Sequence, residues 1–551
     1  MQSKTLIDKH GAPLSAYRPK VSARAAIGRA YEAASLTSQS HGGWRPQRHA
    51  PQSALSTDRN MMVARTEDMG RNNPWASAAL QRKLEMVIGV GWKFASRPNS
   101  KRLGISKEQS RALGDEIEAW IAAYCSDTEL RNDAAQRESV AMQMGSAFKH
   151  CLVTGDALGR LHYLERGGEV HTALELIHSA RLKQPLGTPP TDRFRDGIEL
   201  GQHNEALAYW FTIAHPNDTL SLFRQTESVR ISKYDEDGTR RILHYFTPQE
   251  PGEFRGRSLL APIVKKLRQL AKFDEAELQA ATLNAILAAF VETDAKHDVI
   301  EHLIGDADSI EQAEAGVATY FDTLAAQQEV YRQTNPLEMD GVRFMQTAIG
   351  EKVNFTNPAR PSAGYDKFEL ASLRNIASAT NLSLEMLTAD YSKLSYSGWR
   401  GAITNVWRGV TCERAGFEAT FVRPWFRVVI EEGIARGKIK VPRGAPSFWD
   451  MPSAYLAGDW IGPGRGSADP YKDGRANELD LALGIKTKRE ILAESGKDYD
   501  EHMDNLKAEI DDHHNRLGLR HPAEDDPASI EPELIRDDVE RKGESDEQTT
   551  D

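Results

Sequence analysis

The 551-residue chain holds only three cysteines, Cys125, Cys151 and Cys412, with no paired spacing. That excludes a disulfide framework and suits a reducing compartment. No run of about 18 apolar residues occurs, so a membrane-spanning helix is not expected. The opening segment MQSKTLIDKHGAPLSAYRPK lacks both a continuous apolar stretch and a cleavage site. It does not read as a secretory signal.

Chemical motifs are scarce as well. A phosphate-binding loop needs backbone donors and a lysine in the order G-x-x-x-x-G-K-[ST]. The richest glycine stretch, Gly462-Pro-Gly-Arg-Gly-Ser, has no lysine, and Gly89-x-Gly91 follows a helical pattern and lacks a third glycine. Asp306-Ala-Asp308 begins like a calcium loop but continues with Ile310 and Glu311, where a ligand and the turn glycine belong. His297 and His302 are five apart, a spacing that separates them around a helix. His513-His514 beside Asp511-Asp512 reads as a polar helix end. Cys151 directly follows His150, and sequence neighbours on a helix point apart, so the expected role of Cys151 is structural. No G-x-S-x-G elbow is present. The expectation is therefore a protein without catalytic residues, metal or cofactor, and not an enzyme.

Charge is present but unevenly placed. The formal net charge is −11, of which residues 521–551 carry −9, from twelve acidic and three basic side chains. Residues 1–60 carry +6, from nine basic and three acidic side chains. A basic arm, a nearly neutral body and an acidic, disordered tail follow from this. The arm reads either as a solvated segment or as one that meets an acidic neighbour or nucleic acid.

Periodicity divides the body. Asn73-Pro74 offers a cap and a first-turn proline, after which Trp75, Leu80, Leu84 and Val87 recur at helical spacing. Further helices are expected at Lys107 to Tyr124 and Asp133 to Val153, with a short one at Val21 to Ala34. Residues 155–250 alternate like strands. Gly167-Gly168 predicts a hairpin turn, and Asp235-Glu-Asp-Gly238 predicts a second hairpin between Val229–Ile231 and Ile242–Phe246. From Ser258 to about residue 292 an apolar pattern predicts one helix of about 35 residues and about 50 Å. Its polar stretch, Lys272 to Glu277, either kinks it or faces water. Helices follow near 309–327, 363–379 and 398–433, with a last pair over 473–514. The tryptophans, among them Trp399, Trp407 and Trp425, read as core or interface anchors.

Several blocks, in order along the chain, carry a resemblance. They are Arg71-Asn72-Asn73-Pro74-Trp75; Ile242 to Phe246; Pro251 to Leu260; Asp274 to Ala281; Phe355-x-Asn357-Pro358-x-Arg360-Pro361-Ser362; Ser395 to Arg400; and Asp469 to Asp473 followed by Gly484, Thr487 and Gly496. Together they resemble the lambda-type portal family of tailed bacteriophages. Gly398-Trp399 departs from the small residues usual there, and the glycine-rich 462–466 from a segment that is often aromatic.

The resemblance implies an α+β fold with a mixed wing, long stem helices, a clip and a channel-facing loop, assembled as a dodecameric ring. Carried onto this chain, 1–59 is the basic arm, 60–257 and 398–505 the wing, and 258–292 the first stem helix. The clip is 293–357, the second stem helix 358–381, the channel loop 382–397, and 506–551 the helix end and acidic tail. The implied function is a ring at one capsid vertex through which double-stranded DNA is packaged and ejected. Implied partners are further copies of the chain, the large terminase subunit at the clip, the major capsid protein, head–tail connector proteins and DNA held only transiently, with no membrane. The implied place is the virion, after assembly in the bacterial cytoplasm. Candidate channel-loop residues are Tyr391, Ser392, Lys393, Ser395 and Tyr396; the other reading of that loop is an ordinary helix connection. Asp274, Glu275 and Glu277 are candidate acidic residues of the channel wall. Two other readings stay open: a nucleic-acid or peptide hydrolase with an unrecognised site, and a head adaptor without a channel.

Overall fold

The computed structural model describes residues 43–220, 227–287, 364–467 and 469–521, with isolated positions in 32–40 and 311–330. The chain divides into two compact units, one of Met1–Asn60 with Pro248–Phe254 and one of Met61–Thr247 with Arg255–Asp551. In the first, the Phe254 N–H donates to Gln52 Oε1 at 2.9 Å. Gln52 lies near the start of helix α1, Pro51–Asn72, a helix the polar, turn-rich sequence before residue 60 did not announce. Of the short helix expected at Val21 to Ala34, only Glu32–Ala34 falls within the described residues, as a 3-10 turn.

Among the described residues, the second unit mixes helices with three antiparallel sheets. Asn73 caps α2, Pro74–Val87, by accepting the Ala76 N–H at 3.0 Å, and Pro74 takes the first position, where its missing N–H costs nothing. Strand β1 (Lys93–Ser96) and the short α3 (Ser100–Leu103) follow. Ser106 and Gln109 form a reciprocal capping box on α4, Lys107–Cys125. Helix α5 covers Val140–Thr154, seven residues later than its pattern suggested. The reason is Asp133, whose carboxylate accepts the N–H groups of Ala135, Arg137 and Glu138 and holds a turn in place of a helix.

Strands β2 (Ala157–Tyr163) and β3 (Thr172–Ile177) form the hairpin expected around Gly167-Gly168, with Leu158 opposite Ile177. A second sheet is built from β4 (Phe194–Arg195), β5 (Ile198–Leu200), β6 (Ala206–Thr212) and β7 (Ser228–Ser232), in that order. Strand β8, Ile242–Tyr245, pairs with the far edge of β2. The second predicted hairpin is thus overturned. Asp235–Gly238 does turn, with a bridge between Tyr234 and Arg240, but β7 and β8 then part to different sheets. Local turn chemistry specified the reversal, and burial of all four β8 side chains against β2 outweighed continued pairing.

A 3-10 turn at Ala261–Ile263 leads into α6, Val264–Leu287, which passes through Lys272 to Glu277 without a break. Its 24 residues span about 36 Å. Residues 288–292 of the expected helix lie outside the described residues, as does nearly all of 293–363, including His297 and His302. Helices α7 (Tyr365–Ala379), α8 (Leu384–Thr388) and α9 (Tyr396–Phe417) follow. A π turn at Glu418–Val422 joins α9 to α10, Arg423–Ala435. Pro424 accounts for it: proline has no N–H for the carbonyl four residues back, and a widened turn relieves the clash there. The short α11 (Pro452–Tyr455) leads to β9 (Gly458–Ile461), which pairs with β1. Three helices, α12 (Pro470–Ala482), α13 (Lys488–Glu494) and α14 (Tyr499–Asp512), stand where a pair was expected.

One core joins these elements. Trp425 is fully buried, donates its indole N–H to Tyr124 Oη at 3.0 Å and packs edge-on to Phe421. A side chain of that size removes about 150–250 Å² from water, on the order of 4–6 kcal/mol of gross stabilisation. Trp399 and Trp407 pack partly buried against the same core. Among the described residues no helix is long and apolar enough to cross a membrane.

Candidate functional site

The segment that leads into α6 is held by a buried charge cluster. Asp156 is fully buried, and its Oδ2 accepts the Arg255 Nε–H at 2.6 Å. Its Oδ1 accepts the Gly256 N–H at 2.8 Å and lies 3.3 Å from His244 Nε2. The Arg255 guanidinium also donates to the carbonyls of Leu182, Asp196 and Ser179. The Asp156–Arg255 pair therefore ties β8, the loops flanking the four-stranded sheet and the entry to α6 into a single joint. Arginine suits this task because five fixed N–H donors can satisfy several acceptors at once. The joint lies inside the Pro251 to Leu260 block, yet Asp156, a hundred residues away, carried no sequence signal. Ser258, where the predicted helix begins, accepts the Leu260 N–H at 3.1 Å and donates to the Leu152 carbonyl at 3.1 Å.

Helices α6 and α7 meet through aromatic rings. Phe273 stacks on Tyr365 with centroids 5.7 Å apart and meets Phe368 at 4.7 Å. The Tyr365 hydroxyl donates to Asp274 Oδ1 at 2.9 Å. Of the three acidic candidates, Asp274 is thus engaged with α7 and half-buried, Glu275 is exposed, and Glu277 is buried.

The segment between α7 and α9 contains α8 and a tight turn. Ala389 adopts a left-handed φ of 56°. Asp390 Oδ1 then accepts both the N–H and the hydroxyl of Ser392, at 3.0 and 2.6 Å. These bonds hold the Asp390 carboxyl below its usual range, the Ser392 hydroxyl foremost, and the positive charge of Lys393 adds to the effect. Tyr391, Ser392, Lys393 and Ser395 are exposed on this turn. Ser395 is the cap of α9, accepting the Gly398 N–H at 3.2 Å, and Tyr396 is the first residue of that helix. The structure therefore brings these candidates together, and it assigns Ser395 a capping role that the loop reading did not include.

One face of α9 continues from the turn. Ser397, Arg400, Gly401, Thr404, Asn405 and Arg408 line a shallow concavity of about 440 Å³. Its small and hydroxyl side chains leave the two guanidinium groups prominent; Arg400 also stands 3.8 Å from Asp473. Further along α9, the half-buried guanidinium of Arg414 donates to the carbonyls of Val87, Met86 and Pro463, and desolvation lowers its pKa to about 10.

Cys151 and His150 behave as structural groups. The Cys151 thiol is buried 3.4 Å from the Gly155 carbonyl. His150 Nε2 accepts the Ser179 N–H at 2.9 Å, so that lone pair is already engaged. Among the described residues, one group of side chains stands close enough to share a metal ion: Glu509, His513 and His521.

Comparison with known proteins completes the picture. Two curated relatives are the portal protein of Escherichia phage N15 and portal protein B of Escherichia phage lambda. Each is 25% identical to this chain, over 461 and 460 residues, covering 83% of this chain and 85% of the relative. A probable portal protein of Halomonas phage phiHAP-1 is 26% identical over 64% of this chain and 61% of its own length. Among solved structures, a chain from the virion of a native gene transfer agent particle aligns with 80% of this chain and 93% of its own, at 13% identity and a TM-score of 0.35. A likeness that loose does not define a fold. The curated relatives are named as portal proteins and not as enzymes, in keeping with the expectation from sequence. Residues 37–414 match the profile of the phage portal proteins of the lambda family, and the chain belongs to that family.

Proposed function

We propose that copies of this chain form the ring at one capsid vertex through which double-stranded DNA enters during packaging and leaves on ejection. The observation that carries this reading is the family match over residues 37–414. In this reading 60–257 and 398–505 are the wing, 258–292 and 358–381 the stem helices, 293–357 the clip and 382–397 the channel loop. The paired α6 and α7, joined by stacked rings, support a rigid stem. The exposed turn at Tyr391 to Ser395, with the arginine-bearing face of α9 beyond it, supports a surface that meets DNA. One lysine per turn, repeated around a ring, provides weak and evenly spaced phosphate contacts, which suit a passing duplex better than one tight clamp. Closure requires a head-to-tail interface between copies. The remaining partners are a terminase large subunit at the clip, the major capsid protein around the wing and head–tail connector proteins after packaging. Assembly takes place in the bacterial cytoplasm and the ring ends in the virion.

Electron microscopy of the purified, tag-free protein tests the reading. Twelve-fold rings with a central hole are expected, with a scattering mass many times 61.3 kDa. Compact monomers that persist both at high concentration and with the capsid protein present would overturn it.

A further inference from the structure

Helix α14 ends at Asp512 and continues as a π turn, His513–Leu517, closed by Gly518 at a left-handed φ of 60°. Glu509 and His513 are four residues apart and share a helix face. The turn at Gly518 folds the chain back, with the Leu519 N–H bonded to the His513 carbonyl at 3.2 Å. His521 is thereby returned to the same place. Its ring meets that of His513 edge-on, with centroids 4.8 Å apart, and its Nε2 lies 3.7 Å from Glu509 Oε1. One ligand atom from each of the three side chains lies within 4.8 Å of the others.

A second observation is independent of that proximity. His513 Nδ1 is removed from water and has no hydrogen-bond partner among the described residues. A buried ring nitrogen without a partner is the kind of orphaned polar atom that an unseen ion satisfies. His521 is also buried, at 9% exposure, although it stands near the end of a charged helix. An ion pair between His521 and Glu509 accounts for two of the three groups and leaves His513 unexplained.

We propose that Glu509, His513 and His521 form a site for a divalent transition metal of the zinc type. Two imidazoles and one carboxylate are a ligand set for such an ion, whereas calcium and magnesium take oxygen ligands. Zinc–nitrogen and zinc–oxygen bonds of about 2.0–2.2 Å place tetrahedral ligands about 3.4 Å apart. The His521–Glu509 separation of 3.7 Å is close to that, and modest side-chain rotation closes the rest. Water fills the fourth position. The ion ties the point where the acidic segment 521–551 begins to the end of α14. The site lies outside residues 37–414, over which the family profile matches, and its test does not depend on the portal reading.

The test is equilibrium dialysis of the full-length, tag-free, chelator-treated protein against Zn²⁺, with Co²⁺ absorption as a direct report on the ligands. One equivalent per chain is expected, with the visible bands of four-coordinate cobalt. His513→Ala and His521→Ala should each weaken binding by about tenfold or more and abolish those bands. Glu509→Gln should weaken it without disturbing the helix, and His514→Ala, the neighbouring histidine, should bind like the parent. Absence of a stoichiometric site overturns the proposal. So does unchanged affinity in the His513 and His521 variants, or an equal loss in His514→Ala.

Discussion

Asp156 and Arg255 meet with both side chains out of water, at 2.6 Å, although they stand 99 residues apart in sequence. Around this pair, β8, the flanking loops and the entry to α6 hold together. Removing one member strands the other charge in the interior, which typically costs about 3–5 kcal/mol. Arg255→Met should therefore lower the unfolding free energy by that much, and Arg255→Lys should recover little, because an ammonium cannot reach the same set of carbonyls. Equilibrium denaturation of the three proteins checks it; a fully stable Arg255→Lys would show that charge alone sufficed.

Beside the pair, two glycines bring backbone against backbone. A Cβ on Gly256 would lie 2.0 Å from the Gly155 carbonyl oxygen, and one on Gly155 would lie 2.3 Å from that of Gly256, at a left-handed φ of 95°. Neither contact can be relieved by a side-chain rotation. Gly256→Ala should destabilise by about 3 kcal/mol or more, at the upper end for an overpacked site. The control Gly252→Ala has open space around it, but its φ of 96° strains it by about 1–3 kcal/mol. The larger loss of melting temperature should thus fall on Gly256.

Glu118 makes stability depend on pH. Burial raises its carboxyl to about 7; the Ser96 N–H opposes the shift, while Asp498, Asp115 and Asp500 add to it. The native chain therefore holds a proton that the unfolded chain releases near 4.5. The penalty is absent below about pH 4.5, grows as pH rises, and is complete above about 7. Glu118→Gln keeps the acceptor for Ser96 and removes the charge. Its melting temperature should match the parent's near pH 4.5 and exceed it at pH 8. After allowance for screening at this half-exposed position, the gain is on the order of 1 kcal/mol. Parallel melting curves at both pH values would expose the error.

Lys393 stands exposed on the turn between α8 and α9. Under the proposed function, Lys393→Glu replaces a ring of weak phosphate contacts with a ring of repulsions. Rings should still form, while packaged DNA per particle falls several-fold in a complementation assay. Normal packaging by this variant would remove the turn from the DNA path and leave the family membership intact.

Much of the helical framework was legible because its signals are local. Asn73-Pro74 and Ser106 with Gln109 specify helix starts through atoms three residues away, and Gly167-Gly168 specifies a hairpin through two residues of backbone freedom. The ordered blocks carried the family in the same way, because a block is a string of neighbours. Pairings of remote residues were not legible. Nothing near Asp235–Gly238 says that β7 and β8 part, since that choice rests on the burial β8 gains beside β2. Asp156 reads as one more acidic residue until the fold sets it against Arg255. His513 and His521 likewise read as a polar helix end until a left-handed turn at Gly518 returns one to the other. Sequence alone determined many of the helix starts, the first hairpin and the family, because capping, periodicity and turn chemistry act within a few residues. Tertiary structure alone decided which charges are buried together and which remote side chains converge, because those energies exist only once distant segments exclude water between them.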